Sequence, residues 1–280
     1  MEFPEIVTTI LKQYNEDVKS SNLYHYTDGK ALQSIIENNQ LWLSDRDYMN
    51  DINDHEYIRN IVKEKFKKNI DFQGSLFEQL LITKLPQYVF STSLEKDLIH
   101  QWSYYSDSNS YCLEFDRHEL RDYLYKYKQK NDYFYYGPVI YNQETAKKIV
   151  NVIMETYEEH IQAVISTPVP QPGQEKLLKR TQEVYQFFYS LIKQYGHYCE
   201  KEFRFLYRSK RKPKFKTKKG LFVPYIEIGI KTEKLPIKKI IIGPNNHELI
   251  AQDSLRMFLN QNGYESVIIE KSELNIRSET

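Results

Sequence analysis

The stretch Cys199-Glu200-Lys201-Glu202-Phe203-Arg204-Phe205 alternates with a period of two, which a β-strand satisfies and a helix does not. On a strand, Glu200, Glu202 and Arg204 project from one face and Phe203 and Phe205 from the other. An apolar face therefore backs a surface holding two acids and a guanidinium. Carboxylates two residues apart repel, and the arrangement needs a cation or hydroxyls against it, a part Arg204 can play. The alternative is a solvent-facing Glu–Arg ladder.

The rest of the chain builds an α+β fold around this strand. Strand patterns are read at Leu23–Thr27, Leu41–Leu43, Tyr88–Ser93 and Tyr111–Phe115, then at 221–230, 238–243 and 265–271. Helical spacing is read at 3–14, from Asp28 to Asn38-Asn39, and at 54–68, 98–105, 117–129, 143–165 and 247–262. The run Lys239-Ile240-Ile241-Ile242-Gly243, a helix, and Ser266-Val267-Ile268-Ile269 form a terminal β-α-β unit with a continuous apolar, buried strand. Three prolines and a glycine in Thr167–Gly173 forbid both helix and ladder, marking a loop between two helices or a domain boundary. The expectation is one domain over 1–280, with a helical insertion over about 117–195.

Composition excludes several classes. Only 9 glycines, with no Gly-rich turn after a strand, leave neither a dinucleotide fingerprint nor a P-loop. Cys112 and Cys199 lack metal-ligand spacing, and no metal site is expected from them. The segment MEFPEIVTTILKQYNED places acids where a signal peptide needs an apolar core, and no run reaches membrane-spanning length, so a cytoplasmic protein without membrane contact is expected. The net charge of +1 selects no partner, but Arg208 to Lys219 packs eight cations into twelve residues. Lys210, Arg211, Lys212, Lys214 and Lys216 read either as a solvated hairpin or as an arm that tracks phosphates of a nucleic acid, or meets an acidic protein, with Phe215 available to stack on a base.

Five short blocks occur in order: Leu23-Tyr24-His25-Tyr26-Thr27; Tyr48-Met49-Asn50-Asp51 with Glu56; Phe90-Ser91-Thr92-Ser93; Trp102-Ser103-Tyr104-Tyr105; and Glu200-Lys201-Glu202-Phe203-Arg204. Together they resemble an uncharacterised bacterial family of unknown-function domains found near phage-defence genes. That family in turn distantly resembles the ADP-ribosyltransferase superfamily, which implies a split mixed β-sheet, NAD as substrate and a defence or toxin role. The resemblance implies Glu202 as the carboxylate that stabilises an oxocarbenium-like ribose, Glu200 as the group orienting the acceptor, and Arg204 as a partner for the acids or for a phosphate. It further implies His25 on a ribose hydroxyl of NAD, Tyr26 or Tyr105 stacked on the nicotinamide ring, Ser91 and Ser93 bracing Glu202 from the adjacent strand, and Thr27, Asn50 and Trp102 among the other cofactor-binding residues. An unidentified protein or nucleic-acid acceptor is expected, with an antitoxin or regulatory partner possible.

Two other functions fit the same residues. One is a module that senses a nucleotide or nucleic acid without turnover. The other is a nuclease holding a metal through Asn50, Asp51, Asp54 and Glu56, against which stands a plain acidic loop leading a helix.

Overall fold

The computed structural model describes residues 12, 18–49, 57–58, 60–61, 86–104, 110–165, 172–218, 220–244 and 248–274. The expected helices at 3–14 and 54–68 fall almost wholly outside these residues. In chain order the elements are β1 (Asn22–Asp28), α1 (Gly29–Asn38), β2 (Leu41–Asp45), β3 (Gln87–Ser93), α2 (Ile99–Tyr104), β4 (Ser110–Asp116), α3 (Arg117–Lys126) and β5 (Tyr133–Pro138). There follow α4 (Gln143–Ile165), α5 (Pro172–Tyr189), a 3-10 helix Tyr195–Glu200, β6 (Glu202–Arg208), β7 (Lys214–Lys218), β8 (Leu221–Ile228), β9 (Ile237–Ile242), α6 (Glu248–Gln261) and β10 (Ile268–Lys271).

The chain divides into two compact units, one of Met1–Asp17, Arg46–Pro86 and Gly137–Tyr198, the other of Val18–Asp45, Gln87–Tyr136 and Cys199–Thr280. Among the described residues of the first unit, α4 and α5 are the longest elements. Their inward sides carry Ala146, Ile149, Val150 and Ile153, and Val184, Phe187 and Phe188, respectively, at helical spacing. Arg46 is anchored in this unit: its Nη2 donates to the Tyr189 carbonyl at 2.6 Å and its guanidinium lies 3.8 Å from the Tyr189 ring centroid.

The second unit is built on an open mixed sheet, β10-β9-β4-β1-β3-β2-β8-β7, with β6 pairing β3 and β5 pairing β6. Its core lies on one face, where Leu23, Phe90, Leu113, Phe115, Phe203, Phe205, Ile226 and Ile240 pack together beneath α1, α3 and α6. Helix α1 forms because Leu32, Ile35 and Ile36 make an apolar stripe. It starts where the Asp28 side chain accepts from Ala31 N–H at 2.7 Å, and stops where Asn39 turns left-handed at φ 52°. The terminal β-α-β unit stands as expected, with β10 parallel to β9 at Ile268↔Lys239 and Ile240, Ile241 and Ile242 all buried.

One expectation about the opening motif fails. Strand β6 begins at Glu202, while Glu200 ends the preceding 3-10 helix and Lys201 between them has φ 48°. The left-handed residue breaks the alternation, so Glu200 and Glu202 do not share a strand face.

Candidate functional site

Strand β3 has three partners but only two edges. Strand β6 takes one edge along its whole length, from Gln87↔Arg208 to Ser93↔Glu202. Strands β1 and β2 therefore share the other edge end to end, β1 through Tyr24↔Ser93 and β2 through Ser44↔Val89 and Asp45↔Tyr88. Continuing either antiparallel register by two residues would bring Tyr26 of β1, or Trp42 of β2, opposite Ser91. Neither continues. Strand β1 keeps β4 along its far edge from Asn22 to Asp28, and β2 keeps β8 along its far edge from Leu41 to Ser44, so each parts from β3 together with its outer neighbour. The sheet thus forks at Ser91.

Residues paired in register project to the same face, so Tyr24, Ser93 and Glu202, and likewise Ser91 and Arg204, stand on the face opposite the main core. On this face Arg204 grips Glu202 twice, Nη2 to Oε2 at 2.7 Å and Nε to Oε1 at 3.2 Å. Both side chains are buried, 3 % and 8 % exposed. The Ser91 Oγ and the Trp42 Nε1 are buried with no hydrogen-bond partner among the described residues. The Trp42 and Tyr225 rings lie 4.8 Å apart, and the Lys216 ammonium sits 5.6 Å and 5.7 Å from their centroids.

Two titratable groups are shifted here. Burial, with Lys218 adding to it and Asp28 opposing it, brings Lys216 down to about 8. Burial also brings His25 down to about 4, opposed by its bond to the Ser91 carbonyl and reinforced by Lys216. His25 Nδ1 lies 2.9 Å from that carbonyl oxygen, which only accepts, so Nδ1 carries the proton and Nε2 is left as the acceptor. Lys216 on β7 feels the charge of Asp28, and His25 that of Lys216, although β1 and β7 are not paired. On the face opposite the main core the fork therefore gathers a hydroxyl, two aromatic rings and an ammonium, while the His25 imidazole reaches the Ser91 carbonyl from the core side.

Several expected residues have other duties. His25 and Tyr26 are adjacent in a strand and so face opposite ways. His25 stacks on Phe90 at 4.3 Å on the core side, which Thr27 shares by alternation. The Tyr26 hydroxyl donates to the Glu95 carbonyl at 3.3 Å and accepts from Leu98 N–H at 3.0 Å, and burial pushes its pKa far up. Trp102 is 1 % exposed, donates from Nε1 to Asp97 at 2.8 Å and meets Tyr26 edge-on at 4.8 Å, so it is core and not a shelf for a ligand. Ser93 Oγ donates to the Glu200 carbonyl at 2.9 Å and thereby ties the 3-10 turn to β3. Glu200 lies instead near His100, whose pKa burial lowers and the Glu200 charge raises.

Within the basic segment, Arg211 is a structural anchor: it pairs with Asp132 at 2.7 Å and donates to the Tyr127 and Glu227 carbonyls. Lys214 pairs with Glu227 at 2.6 Å. Lys210 and Lys212 are exposed. Tyr105 and Asn50, and with Asn50 the nuclease acids Asp51, Asp54 and Glu56, lie outside the described residues. Among the described residues no three His, Cys, Asp or Glu side chains gather as a metal site, and no helix is long and apolar enough to cross a membrane.

The sequence reading missed Trp42, Tyr225 and Asp28. Trp42 carried a usable signal, because Leu41 and Leu43 on either side belong to the core and force Trp42 to the other face.

Residues 101–205 match the model of a family described as Protein of unknown function (DUF2971). The match runs from α2 into β6 and takes in Trp102, Glu202 and Arg204, while the fork strands β1, β2 and β3 precede it. The expected likeness to an uncharacterised domain family is thus met over this segment. No curated protein and no solved structure matches the chain.

Proposed function

We propose that the fork at Ser91 binds NAD and that the protein cleaves its nicotinamide–ribose bond, as an ADP-ribosyltransferase or NAD hydrolase acting in defence or as a toxin. The observation that carries this reading is the Glu202–Arg204 pair in register with Ser91 and Ser93 beside the divergence of two strands. Arg204 sets a guanidinium against the Glu202 carboxylate, the group this reading places facing the developing oxocarbenium ion. Trp42 and Tyr225 offer an aromatic surface to a heterocycle, and Lys216 a cation for the pyrophosphate.

In the reaction the C1′–N bond breaks and its electron pair returns to the pyridinium nitrogen, which leaves as neutral nicotinamide. A lone pair of the acceptor, or of water, then bonds C1′, and the acceptor gives up a proton.

The burial of Glu202 and the double hold of Arg204 favour a second reading, a module that binds a nucleotide without turning it over. Nicotinamide release from NAD, measured with purified wild-type and Glu202→Gln protein, with and without cell lysate as acceptor, separates the two. Release by wild type and at least hundredfold less by the variant, with thermal melting showing that the variant is folded, is the expected result. A thermal shift on adding NAD without any nicotinamide release assigns the protein to the binding reading, and neither signal overturns both.

A further inference from the structure

Strands β7 and β8 form an edge hairpin whose two faces differ in chemistry. The register Phe215↔Pro224 and Thr217↔Phe222 puts both phenylalanines on one face, and they are 60 % and 70 % exposed. Leu221 at the turn is 64 % exposed. The register Lys214↔Tyr225 and Lys216↔Val223 puts the lysines on the other face, which leads to Trp42 and the fork. From Arg208 to Ile226 the sequence contains no acid. Lys on an edge strand blocks edge-to-edge pairing, which accounts for the lysines, but two phenylalanines left in water serve no such purpose.

We infer that this hairpin, with Lys210 and Lys212, is a binding platform for a single-stranded polynucleotide. The strand's bases stack on Phe215 and Phe222, while its phosphates meet the exposed Lys210 and Lys212 where the chain enters the hairpin. A single strand fits better than a duplex because its bases are free to stack. An acidic polypeptide satisfies the lysines but leaves the rings unused. If the NAD reading above holds, the bound strand is also the acceptor, since Lys216 belongs to both the hairpin and the fork. The binding step does not rest on that reading.

The test is fluorescence anisotropy of labelled oligo-U and oligo-dT with the full chain at several salt concentrations, against a duplex of equal length and a polyglutamate competitor. Binding of at least one oligonucleotide more tightly than the duplex is expected. Phe215→Ala and Phe222→Ala, both at exposed positions, should each weaken it about tenfold or more. Lys210→Ala with Lys212→Ala should flatten the slope of log K against log salt by about 0.7 for each phosphate that no longer has a lysine to neutralise it. Binding of neither oligonucleotide, indifference to both phenylalanine replacements, or displacement by polyglutamate at equal charge overturns the inference. Oligonucleotide binding without nicotinamide release fails the NAD reading alone, and nicotinamide release without oligonucleotide binding fails the hairpin alone.

Discussion

The Glu202–Arg204 pair is where a single residue matters most. Both side chains are out of water, so removing one takes from the other a partner of opposite charge that holds it inside the fold. Glu202→Ala should therefore cost about 3–5 kcal/mol in urea unfolding, whereas replacing both by apolar residues of similar volume should cost far less. Equal losses in the single and double variants would show that the pair is not acting as a unit. His25 gives a pH signature. Its folded pKa of about 4 lies below the ordinary 6.5, so between those values the unfolded chain takes up a proton that the folded chain does not. Stability should fall as pH drops through this window, and His25→Gln should flatten the profile relative to wild type by up to about 1.4 kcal/mol per pH unit. Parallel profiles would mean that the imidazole is as easily protonated in the fold as out of it.

At the scale of elements, turns set what the strands can present. The end of β8 is pinned against the end of α1 at Gly229, which has φ 116°. A Cβ there would lie 2.5 Å from the Asn39 carbonyl oxygen and 2.5 Å from the Tyr123 hydroxyl. The hydroxyl can swing away at the expense of its 3.3 Å bond to Asn39, but the backbone oxygen cannot. Gly229→Ala should cost roughly 1–3 kcal/mol or more, read as a lower urea midpoint, and an unchanged midpoint would mean that the β8–α1 junction yields freely. The start of β6 shows the converse. Glu200 and Glu202 obey the period of two, yet Lys201 at φ 48° turns the chain between them. A periodic pattern of seven residues does not say where a strand begins, because the start depends on what the preceding 3-10 helix packs against.

At the scale of the whole chain, local chemistry determined much by itself. Asp28 and Asn39 bracket α1, the isoleucine run makes β9 a strand buried on both faces, and the phenylalanines alternating with Glu202 and Arg204 place that pair away from the core. These follow from the sequence because capping, period and burial act within a few residues. The fork at Ser91 does not. It exists because β1 and β2 share one edge of β3 end to end while each keeps a partner distant in sequence, β4 or β8, along its far edge, and no local pattern encodes which strands meet there. The meeting of Lys216 with Trp42 and Tyr225 follows from β8 lying between β2 and β7, and the anchoring of Arg211 by Asp132 joins residues 79 apart in sequence. The sequence by itself determined which side chains a strand holds up to each face; tertiary structure decided which strands part company, and with that which of those side chains meet.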